Sequence, residues 1–135
     1  MEIKITKTAC PKTMPKEDAL GFGKFFTDHM FIMDYSKDIG WHDARIVPFG
    51  EFMIHPASTV LHYGSEIFEG LKAYRRKDGK VQLFRAIENI RRMNNSAERL
   101  CLPQIPEDLA MDILTKFVDL EQDWTPSADG TSLYL

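Results

Sequence analysis

Residues 62 to 103, HYGSEIFEGLKAYRRKDGKVQLFRAIENIRRMNNSAERLCLP, run from a Gly-flanked aromatic segment through a hairpin into an arginine-rich helix. Asp78-Gly79 separates two alternating runs, Leu71 to Arg76 and Lys80 to Arg85. An Asp-Gly pair accepts the positive φ of a tight hairpin turn, so these runs read as its arms. Beyond them Ala86, Ile90, Met93, Ala97 and Leu100 recur at helical spacing and predict a helix over 86–100 with one buried stripe. Arg85, Asn89, Arg92, Ser96 and Arg99 fall on the neighbouring face. That edge of donors suits a phosphate or carboxylate. It equally suits a solvated surface, with Glu88 and Arg92 paired at i, i+4.

Working outward, the rest of the chain reads as short strands followed by a second helix. Ile3 and Ile5 alternate with polar residues over 1–8, an edge-strand pattern. Gly21-Phe22-Gly23 precedes an apolar strand over 25–33, turn residues occupy 34–43, and a further strand covers 44–49, bent or ended by Pro48. Residues 51–54 read as another extended piece, broken by residues 56–59. Together these predict a meander or open antiparallel sheet. Residues 65–69 fit one helical turn stopped at Gly70. Toward the C-terminus, Pro106 suits the first position of a helix, with Glu107 and Asp108 at its positive end. Leu109, Ile113, Phe117 and Leu120 form its stripe, and the helix is expected to end near Trp124. Residues 131–135 begin a strand that is apolar to its last residue, an unusual terminus that reads as a cut within a longer protein. The fold class is α+β, with an antiparallel sheet and two main helices.

At 135 residues, the chain has one domain's length, and 44% hydrophobic with 27% charged residues is a globular balance. The net charge of −3 offers no excess positive field for a nucleic-acid backbone. Cys10 and Cys101 form no disulfide framework and no zinc spacing, which fits a reducing cytoplasm. Nothing resembles a signal peptide or a membrane span. His29, His42, His55 and His62 lack the spacings of a metal site, and none is expected. Motifs for dinucleotide, P-loop or serine-hydrolase chemistry are missing. Asp28-His29 on a strand offers an acid/base pair, but neighbours on a strand more often point to opposite faces and do separate structural work.

GFGKFFTDHMF, RIVPF, HPAS, LHYGSEIFEGLKAYR, LFRAIENIRRMNNSAERLCLP and the closing GTSLYL together resemble the branched-chain amino acid aminotransferases. These are pyridoxal-phosphate enzymes of the D-amino-acid-aminotransferase-like fold (fold type IV), and residues 1–135 match their N-terminal small domain. The resemblance implies that Arg92 binds the cofactor phosphate. It also implies that Phe22, Tyr63, Phe68 and Tyr134 line the pocket for the substrate side chain, an apolar cage for Leu, Ile or Val. For the intact enzyme it implies amino transfer to 2-oxoglutarate, pyridoxal 5'-phosphate as cofactor, 2-oxo acids as partners, a cytoplasmic location and a homodimer. The family's Schiff-base lysine belongs to a larger C-terminal domain, beyond residue 135. No catalytic residue is therefore expected here, and the fragment alone is expected to be inactive. D-amino-acid aminotransferase and aminodeoxychorismate lyase share the architecture and are alternatives. So is a free-standing, non-catalytic module that binds anions or a partner.

Overall fold

The computed structural model describes all 135 residues. The chain forms two small sheets and two long helices, an α+β arrangement. In order, the elements are β1 (Lys4–Ile5), a 3-10 turn (Glu17–Ala19), β2 (His29–Ser36), β3 (Gly40–Pro48) and α1 (Thr59–Tyr63). Then follow β4 (Lys72–Arg75), β5 (Val81–Leu83), α2 (Ala86–Arg99), α3 (Glu107–Leu120), a 3-10 turn (Gln122–Trp124) and β6 (Leu133–Tyr134).

The single antiparallel sheet expected from the sequence is in fact two three-stranded sheets, ordered β1-β3-β2 and β5-β4-β6. One pairing is parallel, Lys4 with Arg45 and Ile5 with Ile46. The other pairings are antiparallel. In the first sheet β2 lies further along the chain than expected and β3 starts earlier and is longer, leaving only Lys37 to Ile39 as the turn. The polar residues of 34–43 are accommodated because this sheet edge meets water. Residues 25–27 and 51–54 form no strand, since the ladder stops at His29 opposite Pro48.

The hairpin is present: Ala73 faces Leu83, Tyr74 faces Gln82 and Arg75 faces Val81. Arg76 donates to the Lys80 carbonyl at 2.8 Å, so the loop is Lys77-Asp78-Gly79, with Gly79 at φ 82°. That is a three-residue hairpin with glycine in the left-handed position. On its other side β4 takes β6, and Leu135 and Leu71 exchange backbone hydrogen bonds at 2.9 and 3.0 Å. The apolar closing residues thus form an edge strand.

Both long helices occur where their periodicity places them. α2 buries Ala86, Ile90 and Ala97, but Leu100 leaves the stripe as the exposed C-cap. In α3 the buried set is Ala110, Ile113 and Val118, then Glu121 just past the helix end. The stripe is rotated from the expected Leu109/Leu120 line, which is only partly covered. Asn94 joins the helices through both bonds to Ile105, at 2.8 and 2.9 Å, and Arg91 reaches Glu107 at 3.2 Å.

The short helix also differs from expectation. Residues 65–69 are not helical; Thr59–Tyr63 is, and Gly64 at φ 57° closes it as a left-handed C-cap. Pro56 precedes that helix rather than ending an extended run.

Only 12 residues are buried, chiefly alanines with Ile46, Ile90, Ile113 and Val118. Phe22, Phe52, Met53, Leu61, Tyr63, Phe68 and Phe84 are instead exposed. So little sealed interior makes the polar ties unusually important to the fold. The deepest is His29, whose Nδ1 meets the carboxylate of Glu121. The His29 Nε2 accepts the Thr8 N–H at 2.9 Å, so the proton sits on Nδ1 and is donated to Glu121. The second Glu121 oxygen accepts the Asp28 N–H at 3.1 Å. Asp28 itself turns away, accepting from Lys12 N–H and the Trp124 indole. The neighbours Asp28 and His29 do separate structural work, as expected.

Candidate functional site

The loop between α1 and β4 carries Phe68, Glu69 and Gly70 alongside α2. There they meet Arg92 and Ser96, one helical turn apart, and Tyr134 on β6. Together these six residues line an open cleft of about 460 Å³. Phe22 joins from the N-terminal loop, its ring edge-on to Tyr134 with centroids 5.2 Å apart.

Arg92 does not pair with Glu88, which instead bonds Arg91 at 3.0 Å. Its Nε–H goes to Glu69 Oε2 at 2.8 Å, and its Nη2 bonds Glu69 Oε1 in parallel. The fork suits a planar carboxylate. Glu69 also accepts the Gly70 N–H at 2.9 Å and Asn89 Nδ2 at 3.2 Å, and the same Asn89 nitrogen bonds the Gly70 carbonyl at 3.1 Å. The Arg92 guanidinium holds the Glu69 carboxyl well below its ordinary range, to about 2, against the opposing effect of burial. The paired carboxylate in turn raises the Arg92 pKa further. Glu69 has 11% of its side chain exposed and Arg92 67%, so the acid is embedded while the base faces solvent.

Gly70 is required by sterics. A Cβ there would lie 2.8 Å from Cζ of Tyr134 and closer still to the hydroxyl. A side chain at residue 70 would therefore displace the Tyr134 ring from this position.

Of the sequence-derived site residues, the structure brings together Arg92, Phe68 and Tyr134 on one cleft, with Phe22 against Tyr134. Tyr63 does not line this cleft and is 84% exposed at the end of α1. The basic edge of α2 does not act as a unit: Arg85 and Arg99 lie off the cleft, and Arg85 approaches only Glu88. Glu69, Gly70 and the bracing role of Asn89 were not anticipated. A carboxylate beside glycine in F-E-G was the available signal, but spacing says nothing about which cation it meets.

The donors present fit the phosphate end of pyridoxal phosphate. A guanidinium has five N–H donors, two go to Glu69, and three point elsewhere. Ser96 lies on the same face, but its hydroxyl donates to the Arg92 carbonyl at 3.1 Å, so the free donors are those of the guanidinium; Gly70 keeps the wall thin. No lysine lines the cleft, so it offers no amine nucleophile. Elsewhere, Asp34, His42 and Asp43 cluster with ligand atoms within 4.8 Å, but Arg45 already bonds Asp34 at 2.7 Å and supplies the countercharge. No helix is long and apolar enough to cross a membrane.

No family model matches the chain. Among curated proteins, it is 51% identical over 129 residues to branched-chain-amino-acid transaminase 1 of Bacillus subtilis, covering 96% of this chain and 36% of that protein. To branched-chain-amino-acid aminotransferase 2 of the same organism it is 47% identical over 133 residues, 98% of this chain and 37% of the relative. The branched-chain-amino-acid aminotransferase of Mycolicibacterium smegmatis is 44% identical over 137 residues, 95% of this chain and 37% of its own length. The chain spans little more than a third of the curated relatives it matches. Along nearly all of its own length, the chain is homologous to a little over a third of each of these branched-chain-amino-acid aminotransferases.

Proposed function

We propose that residues 1–135 are the small N-terminal domain of a branched-chain aminotransferase of fold type IV, and that the whole protein moves the amino group of Leu, Ile or Val to 2-oxoglutarate. The observation that carries this reading is Arg92: a guanidinium held on one side by Glu69, with donors left over, beside an aromatic wall. In the whole protein Arg92 takes the phosphate of pyridoxal 5'-phosphate through charge-assisted bonds that persist at any working pH. When bound, that cofactor supplies the electron sink that amino transfer requires. Phe22, Phe68 and Tyr134 present apolar surface to an aliphatic side chain and exclude water from it. Tyr63 belongs to the same reading only if another part of the protein brings the cleft to it. The exposed aromatics are matched to a larger C-terminal domain and to the second copy of a cytoplasmic homodimer.

The amine that holds the cofactor is assigned to the C-terminal domain, and the 135-residue chain alone is inactive. Borohydride reduction of the isolated chain with pyridoxal phosphate is expected to give no stoichiometric adduct at any one lysine. Such an adduct, with turnover, overturns this. On the full-length protein, formation of 2-oxoisocaproate from leucine and 2-oxoglutarate is expected. Activity with D-alanine instead moves the assignment to D-amino-acid aminotransferase.

A further inference from the structure

We infer that Glu69 is a positioning residue for phosphate recognition: it locks the Arg92 fork in one rotamer, so that the remaining N–H donors stand ready for an anion. The inference deepens the reading of Arg92 as the cofactor clasp and rests on it.

An arginine two-thirds exposed on a helix face normally samples many rotamers, and a ligand that immobilises it loses affinity by doing so. Here that ordering precedes the ligand. Two parallel bonds fix the guanidinium plane, and the acid that accepts them is fixed in turn. Glu69 receives the Gly70 N–H and the Asn89 amide, and Asn89 also grips the Gly70 carbonyl. Asn89 lies on the same helix as Arg92, three residues earlier, so helix, loop and fork form one braced unit. An ordinary surface ion pair has no such backing, as Lys116 with Asp112 illustrates. The brace has a cost. Glu69 cancels one positive charge in the cleft, which by long-range electrostatics alone weakens the site for an anion. A carboxylate kept there is explained by geometry rather than by field.

This opposition of sign makes the test sharp. In the full-length protein, the dissociation constants of pyridoxal phosphate and of pyridoxal are titrated by absorbance, and the pyridoxal constant divided by the pyridoxal phosphate constant is the ratio that reports phosphate recognition apart from ring binding. Glu69→Gln adds net positive charge yet removes one arm of the fork's acceptor. The ratio is expected to fall about tenfold, the scale on which supporting residues of a liganding group act, with the pyridoxal constant unchanged. Glu69→Asp is expected to restore part of it. Asn89→Ala, which leaves every charge in place, is expected to lower the ratio in the same direction and serves if the Glu69 variant does not fold. An unchanged or increased ratio in Glu69→Gln, or in Asn89→Ala where that variant serves, overturns the inference. Arg92→Gln separates the two levels. If it leaves the ratio intact, the clasp reading itself fails. If it abolishes the ratio while Glu69→Gln does not alter it, only the role of Glu69 is lost.

Discussion

Two carboxylates, Glu121 and Glu69, each meet a nitrogen base, and the two pairs do opposite things. Glu121 and His29 are both sealed from solvent, and every polar atom of the pair is spoken for: Thr8 on one ring nitrogen, Asp28 on the second oxygen. That pair joins the N-terminal segment, β2 and the end of α3, and has nothing left to offer a ligand. Glu69 is similarly saturated, but its partner Arg92 reaches into an open cleft with donors unspent. What separates a tie of the fold from a candidate binding group is therefore the hydrogen-bonding capacity left over, not charge or burial of the pair as such.

The largest expected break in this comparison is Glu121→Ala. Removing the acid leaves the His29 N–H and the Asp28 N–H without acceptors in a sealed site, a loss of about 3 kcal/mol. Urea unfolding measures it, and phosphate preference of whatever remains folded should not change. Gly70→Ala comes next, at about 1–2 kcal/mol for overpacking against the Tyr134 ring. Adding Tyr134→Ala to it should recover most of that loss, because the collision partner is gone. A failure of the double variant to recover would locate the strain in the backbone instead.

Smaller, and lost only in acid, is the contribution of Glu69. Its carboxyl titrates near 2 in the folded chain, below the ordinary 4.5, so its stabilisation is present above 4.5 and is lost as pH falls toward 2. The melting-temperature gap between the native chain and Glu69→Gln should be constant above about pH 5 and close below it. A gap that widened in acid would contradict the ionised pair. Smallest is Lys116→Ala, which breaks an exposed i, i+4 pair at 2.7 Å and should move stability by no more than about 0.5 kcal/mol.

The hairpin and both long helices were legible because each is specified locally: Asp-Gly at a turn, apolar residues at 3.6 spacing, carboxylates at a helix start. The short helix was misplaced because Gly64 and Gly70 look alike in one dimension. Gly64 turns out to hold the left-handed cap, while Gly70 makes room for a ring from β6. The α3 stripe was read slightly out of rotation because Glu121, a charge, occupies a core position that only its distant partner His29 makes tolerable.

The site divides in the same way. Arg92 and the aromatics Phe22, Phe68 and Tyr134 are singled out by the resemblance to the branched-chain aminotransferases; helical spacing alone leaves Arg92 on a solvated face, and residue type alone leaves Phe22 and Phe68 as ordinary core. That Arg92 is braced by an acid 23 residues earlier, that Arg85 and Arg99 fall away from it, and that Tyr63 stands apart were decided by the tertiary structure alone. The reason is physical: periodicity fixes which face a residue occupies within its own element. Which faces meet depends on loop paths and close packing between elements far apart along the chain, and those leave no regular spacing to read.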